Sequence, residues 1–226
     1  RDIGADIQER MWPSLQIALP TFALGLITTI TLALLIVLFR GTVLDTTAMV
    51  VAVMIMSISG LFYIIAGQVL FSKILHWVPI SGYESGWDGV KFVILPVLIG
   101  VFAGLGAGTR WYRSIFLEEI NRDYVRTARA KGLSEIQVLF KHVLRNGMLP
   151  ILTGVVVVIP SLFMGSLIME SFFGIPGLGS YTIDAINAQD FAIVKAMVFF
   201  GAVLYIVGLI LTDISYTLFD PRVRLS

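Results

Sequence analysis

The chain has 226 residues, 57% of them hydrophobic and only 14% charged, with a mean hydropathy of +0.90. A water-soluble domain carries about a quarter charged residues, so this composition excludes one and calls for lipid as the solvent. The formal net charge of +1 points to no partner, nucleic acid included, and the absence of Cys excludes disulfides and thiolate metal sites.

Along the chain, residues 1–12 place Ile3, Ile7 and Met11 at helical spacing among Asp2, Asp6, Glu9 and Arg10. That pattern predicts a short helix lying at the membrane interface. Apolar stretches follow near 13–39, 46–72, 90–108, 148–169 and 195–218. Each can cross about 30 Å of hydrocarbon, which takes about 20 residues. Backbone groups in lipid must be satisfied internally, so these spans are expected to be helices. The expected fold is all-α, a polytopic transmembrane helix bundle of five spans forming one domain over 1–226.

The segment 109–149 interrupts this pattern. It holds eight of the sixteen Lys and Arg against the four acids Glu118, Glu119, Asp123 and Glu135. Short loops rich in Lys and Arg stay inside, which places 109–149 and the C-terminus, with Arg222 and Arg224, in the cytoplasm. The loop bearing Glu170, Asp184 and Asp190 then lies outside. Counting back puts the N-terminus outside as well, which implies a preceding span and six in the parent protein.

No Asp, Glu, Lys, Arg or His lies well inside any stretch. Proton relays and ion-coupled carriers usually depend on such residues, so a self-powered pump is disfavoured against a facilitator or a partner-driven translocator. Gly100, Gly104 and Gly108 repeat every four residues in the third stretch, a face suited to close helix packing or to lining a pathway. His76 and His142 fall on opposite sides of the membrane and form no metal pair. There is no Gly-x-x-x-x-Gly-Lys-Ser/Thr, so the chain carries no P-loop of its own.

Spans in a bundle are joined by about 2–8 residues, so a connection as long as 109–149 has another purpose. Helix formers fill 112–131, and Gly132 stands where a glycine ends a helix. Ser134 and Gln137 read as a capping box that opens the next helix. Ile136, Leu139, Phe140 and Val143 then form one apolar stripe. The turn offers Ala128, Ala130 and Gly132 for close approach, among Arg126, Arg129 and Lys131, which can steer an acidic partner.

Arg126-Thr-Ala-Arg-Ala-Lys-Gly132 resembles the Glu-Ala-Ala-x-x-x-Gly loop of binding-protein-dependent ABC importer permeases, with Arg126 and Thr127 in place of Glu and the first Ala. The Ile-x-Leu-Pro that continues the general pattern falls on His142, Val143, Leu144 and Arg145, and departs at its first and last positions. The wider run Asp123–Ser134, followed by His142-Val-Leu-Arg-Asn-Gly-Met-Leu-Pro150, is similar instead to the dipeptide, oligopeptide and nickel branch. Glu170-Ser-Phe-Phe-Gly-Ile-Pro-Gly-Leu-Gly179 resembles that branch's outer loop, and Asp213, Tyr216 and Asp220-Pro221-Arg222 its C-terminal ending. The likeness covers most of 110–226.

The resemblance implies a type I ABC importer permease in a bacterial cytoplasmic (inner) membrane. Its coupling helix, formed by Arg126, Thr127, Ala128, Arg129, Ala130, Lys131 and Gly132, would sit in a groove of a cytoplasmic ATPase. It also implies a second homologous permease, two ATPase subunits and an extracytoplasmic solute-binding protein. Cofactors would be none in this chain, with ATP and Mg on the ATPases. Glu170, Pro176, Gly177 and Gly179 are candidates for an outer gate or receptor contact, or for a simple turn. Dipeptides, oligopeptides, nickel chelates and glutathione-like cargo all remain open, and an ATP-independent channel or a membrane scaffold are the competing readings.

Overall fold

Lipid leaves the backbone one dominant solution, and the computed structural model, which describes residues 2–219, is mostly helical in its apolar stretches. Helix α1 (Ile3–Leu38) is continuous where the sequence predicts an interfacial helix and a separate span. Ile3, Ile7 and Met11 pack against a core of Leu178, Tyr181, Ala185, Ile193 and Met197. Further along α1, the hydroxyls of Thr28, Thr29 and Thr31 donate to the carbonyls of Leu24, Gly25 and Ile27 at 2.6, 2.6 and 2.8 Å. Each hydroxyl therefore needs no water.

The expected span 46–72 is broken. Helix α2 (Val43–Ser57) stops at Ile58 and Ser59, both in extended backbone. Helix α3 (Gly60–Gly67) then starts and runs on as a π-helix over Gln68–Ile74. The Ser57 hydroxyl donates to Val53 O at 2.7 Å, a local bond that weakens the helix end, and Gly60 is a poor helix former. Next come α4 (Val90–Ile120), α5 (Asp123–Ala130) and α6 (Glu135–Gln137), the last extended by a π-turn over Val138–Val143. Helix α7 (Leu144–Val158), a 3-10 turn (Ile159–Met164), α8 (Leu167–Phe173), α9 (Leu178–Asn187) and α10 (Phe191–Phe219) complete the chain.

Among the described residues, four helical runs are long and apolar enough to cross a membrane, or five if α2 and α3 make one broken span. Only 17–28% of each run's most apolar window is buried within the chain, so most of that surface is open to lipid or to neighbouring subunits.

The described residues fall into two units. One comprises 2–22, 59–100 and 155–219. Here α9 packs on α8 and α10, and Gly100 lies against Thr21. The other comprises 23–58 and 101–154. Here Phe116, Val125, Val138, Leu139 and Val143 are fully buried, and α5 packs on the π-turn.

The predicted stripe on the return helix is only half right. Leu139 and Val143 are buried, but Ile136 is 58% exposed and Val138 takes the inward place. A π-turn bonds i to i+5, which aligns Val138 with Val143 rather than Ile136 with Phe140. Within the glycine repeat, Gly100 and Gly108 meet Thr21 and Thr29 in their respective units, whereas a Cβ on Gly104 would touch no described atom within 4 Å. Gly106, outside the repeat, faces the Ala52 carbonyl and Met56. Gly106→Val is therefore expected to cost about 1–3 kcal/mol by overpacking, while Gly104→Ala leaves stability unchanged or raises it by up to about 1 kcal/mol. Thermal unfolding of the purified protein in detergent checks this, and equal effects of the two changes would contradict the packing at Gly106.

Candidate functional site

Two constellations bring together the residues that the sequence singles out, one in each unit. In the unit containing α5, the chain leaves α4 at Asn121-Arg122 and re-enters a helix at Asp123. Tyr124 secures this entry by donating its hydroxyl to Glu119 Oε2 at 2.9 Å. Burial, and then the Glu119 carboxylate, push the Tyr124 pKa well up, so it stays a donor.

Helix α5 ends in a Schellman turn. Leu133 N–H reaches back to Ala128 O at 3.4 Å and Gly132 N–H to Arg129 O at 2.9 Å. This closure puts Gly132 at φ +82°, which a residue with a Cβ adopts only at a cost. No described atom lies within 4 Å of a Cβ placed there, so the demand for glycine is conformational and not steric. Two residues on, the expected capping box is present. Ser134 Oγ accepts from Gln137 N at 3.3 Å, and Gln137 Oε1 accepts from Ser134 N at 3.1 Å.

Of the seven elbow residues, five are exposed with no inward role: Arg126, Thr127, Ala130, Lys131 and Gly132. Ala128 instead points into the unit and is 5% exposed. Arg129 curls over the turn onto Glu135, with Nε–Oε1 at 2.8 Å and Nη2–Oε2 at 3.4 Å. Arg40, between α1 and α2, reaches the same carboxylate at 3.7 Å. Such partly exposed pairs contribute about 0.2–1 kcal/mol each, so their main effect is to set orientation.

A further pair was not legible in the sequence. Arg113 of α4 grips Asp45 of α2 through two bonds of 2.9 and 2.8 Å, and Asp45 also accepts from Gly41 N at 3.1 Å. The two partners are 68 positions apart, and no local motif marks them.

The second constellation surrounds Glu170, in the first turn of α8 and 1% exposed. Ser14 Oγ donates to Glu170 Oε1 at 2.6 Å and accepts from Leu178 N at 2.8 Å. Ser180 N donates to Glu170 Oε2 at 3.0 Å. A Cβ on Gly165, Gly177 or Gly179 would strike this carboxylate, so these glycines leave the room it occupies. Gly174, at φ +65°, reverses the chain between α8 and α9. Nearby, Tyr181 donates to Asp6 Oδ2 at 2.9 Å, and Arg10 stacks over the Tyr181 ring at 4.8 Å.

Glu170, Gly177 and Gly179 thus converge, while Pro176 is exposed in the turn and takes no part. Ser14 was missed by sequence reasoning because a lone Ser within an apolar helix carries no signal. Of the C-terminal motif, Asp213 and Tyr216 lie exposed on α10, and Asp220-Pro221-Arg222 lies outside the described residues.

The family of binding-protein-dependent transport system inner membrane components matches residues 21–225, and the chain belongs to it. It is a multi-pass membrane protein, the permease subunit of an ATP-driven importer. The dipeptide transport system permease protein DppB of Bacillus subtilis is 32% identical over 223 residues, covering 97% of this chain and 70% of DppB. The oligopeptide transport system permease protein AppB of the same organism is 40% identical over 156 residues, 66% of this chain and 49% of AppB. The MetNI methionine ABC transporter, solved in inward-facing conformations, shares the fold with a TM-score of 0.69 at 13% identity, over 92% of this chain and 95% of that one.

Burial pushes the Glu170 pKa upward, against the opposing pull of the Ser14 hydroxyl and of the Ser180, Gly179 and Ser166 backbone groups. A carboxyl with a raised pKa holds its proton more tightly folded than unfolded. Its contribution to stability is complete below the ordinary value of 4.5 and is lost as pH rises through the raised one. Protection of the Leu178 and Ser180 amides, corrected for intrinsic exchange, is therefore expected to fall as pH rises above 4.5 and through the raised pKa, and Glu170→Gln should flatten that slope. An unchanged slope in Glu170→Gln would remove Glu170 as its source.

Proposed function

We propose that this chain moves peptides or closely related small solutes inward across a bacterial cytoplasmic membrane, with its C-terminus in the cytoplasm. It works beside a second, similar permease, two cytoplasmic ATPases and an extracytoplasmic solute-binding protein. What carries this reading is the basic elbow, a helix closed by Gly132 and braced at Glu135, with Arg126, Thr127, Ala130 and Lys131 exposed on its surface. The relationship to DppB and AppB supports peptide cargo.

ATP and Mg bind on the ATPases. Their closure pushes on the elbow, and an element that is capped, closed and braced passes that push on as a body instead of absorbing it. The Glu170 hairpin is a candidate part of the outer gate, with its buried carboxylate holding α8 to α9 and the exposed Pro176 turn left for contact with other chains.

Reconstitution tests this against an ATP-independent facilitator: solute flux through the chain without any ATPase would favour the facilitator. Gly132→Val should impair uptake while leaving membrane insertion intact, and Gly132→Asn, which tolerates positive φ, should retain more activity. Cysteines at Thr127 and Ala130 should crosslink to the ATPase, whereas one at the buried Ala128 should react poorly. Labelling of Thr127→Cys only from the outer face would reverse the topology.

A further inference from the structure

Two arginines one turn apart on α4 behave differently. Arg113 is neutralised by Asp45 in the first turn of α2. Arg110 contacts Met56 Sδ at 3.5 Å, near the other end of α2, eleven residues beyond Asp45. At 1.5 Å per residue that is about 16 Å along the helix. The two side chains therefore splay in opposite directions, and Arg110 lies along the apolar flank of α2 instead of turning back toward Asp45.

A thioether is a weak acceptor, and among the described residues no carboxylate pairs with Arg110. Its guanidinium borders a groove of about 460 Å³ lined by Met49, Val53 and Met56 of α2 and by Ala107, Trp111, Ser114 and the Asp45-paired Arg113 of α4. That volume lies within the range of small-molecule sites. Methionine side chains adapt to ligands of different shape. Arg110 is exposed, so its guanidinium is open to an anionic group of a solute.

We infer that this groove is a solute-contact site in which Arg110 binds the carboxylate of a passing peptide while Met49, Val53 and Met56 accept its variable apolar parts. One cation without a carboxylate partner, beside an adaptable wall, suits a cargo whose carboxylate is constant and whose side chains vary. The inference rests on the peptide reading above.

The test uses the reconstituted transporter with its binding protein, a peptide with a free C-terminal carboxylate, and the same peptide amidated. The binding protein's own affinity for each is measured separately and divided out. Wild type should favour the free carboxylate beyond what the receptor explains. Arg110→Gln should lower its corrected uptake about tenfold or more and erase the preference, while Arg110→Lys, which keeps the charge, should retain part of it. Unaltered uptake in Arg110→Gln, or equal loss for both peptides, overturns the inference. Equal loss together with anionic phospholipid retained by wild type and not by the variant in native mass spectrometry reassigns the groove to a lipid headgroup. Wild type that shows no ATP-dependent peptide uptake defeats the peptide reading itself, a separate outcome.

Discussion

Every backbone polar group of this chain that enters hydrocarbon needs a partner within the protein, and that requirement shapes everything else. An unpaired backbone group in lipid costs several kcal/mol, so the apolar stretches are mostly helical, and Thr28, Thr29 and Thr31 of α1 fold their hydroxyls onto their own backbone. Where the helix between α2 and α3 is interrupted, local and distant side chains take over. Ser57 bonds back to Val53, and further on Gln68 donates to the carbonyls of Ile80 and Phe172, each at 3.0 Å.

The same requirement explains why the buried charges are so fully engaged. Glu170 is surrounded by donors and by glycines that make room for it, and Asp45 takes both arms of a guanidinium. Removing one partner of such an assembly leaves a desolvated group behind, which costs more than the net gain of making the bond. These clusters act as fixed joints within their units. The elbow differs in kind. Its pairs are partly exposed and individually weak, and its shape comes from hydrogen-bonded closure at Gly132 and capping at Ser134. Such an element keeps its form while its surface stays exposed, which is what the proposed coupling role requires.

The local chemistry of the chain was legible without a structure because each signal acts over a few residues. Helical spans follow from apolar length, the glycine stop from the geometry of helix ends, and the Ser134–Gln137 box from the reach of two side chains. The resemblance to importer permeases rests on runs of the same local kind. Wherever two distant segments meet, the sequence was silent or misleading. It offered the N-terminal stripe to the lipid surface, although α9 and α10 provide a core for Ile3, Ile7 and Met11. It credited Gly104 along with Gly100 and Gly108, although Gly106 faces the α2 backbone.

Sequence alone, then, determined that the chain is a helical membrane protein with a capped, glycine-closed basic elbow, since periodicity, caps and solvent preference are properties of neighbouring residues. Tertiary structure decided that Ala128 faces inward, that Arg129 is spent on Glu135, and that Arg113 is neutralised while Arg110 is not. It also joined Ser14 to Glu170 across 156 positions. Pairing of this sort depends on which helix faces come together, and a sequence has no local feature that records the far partner.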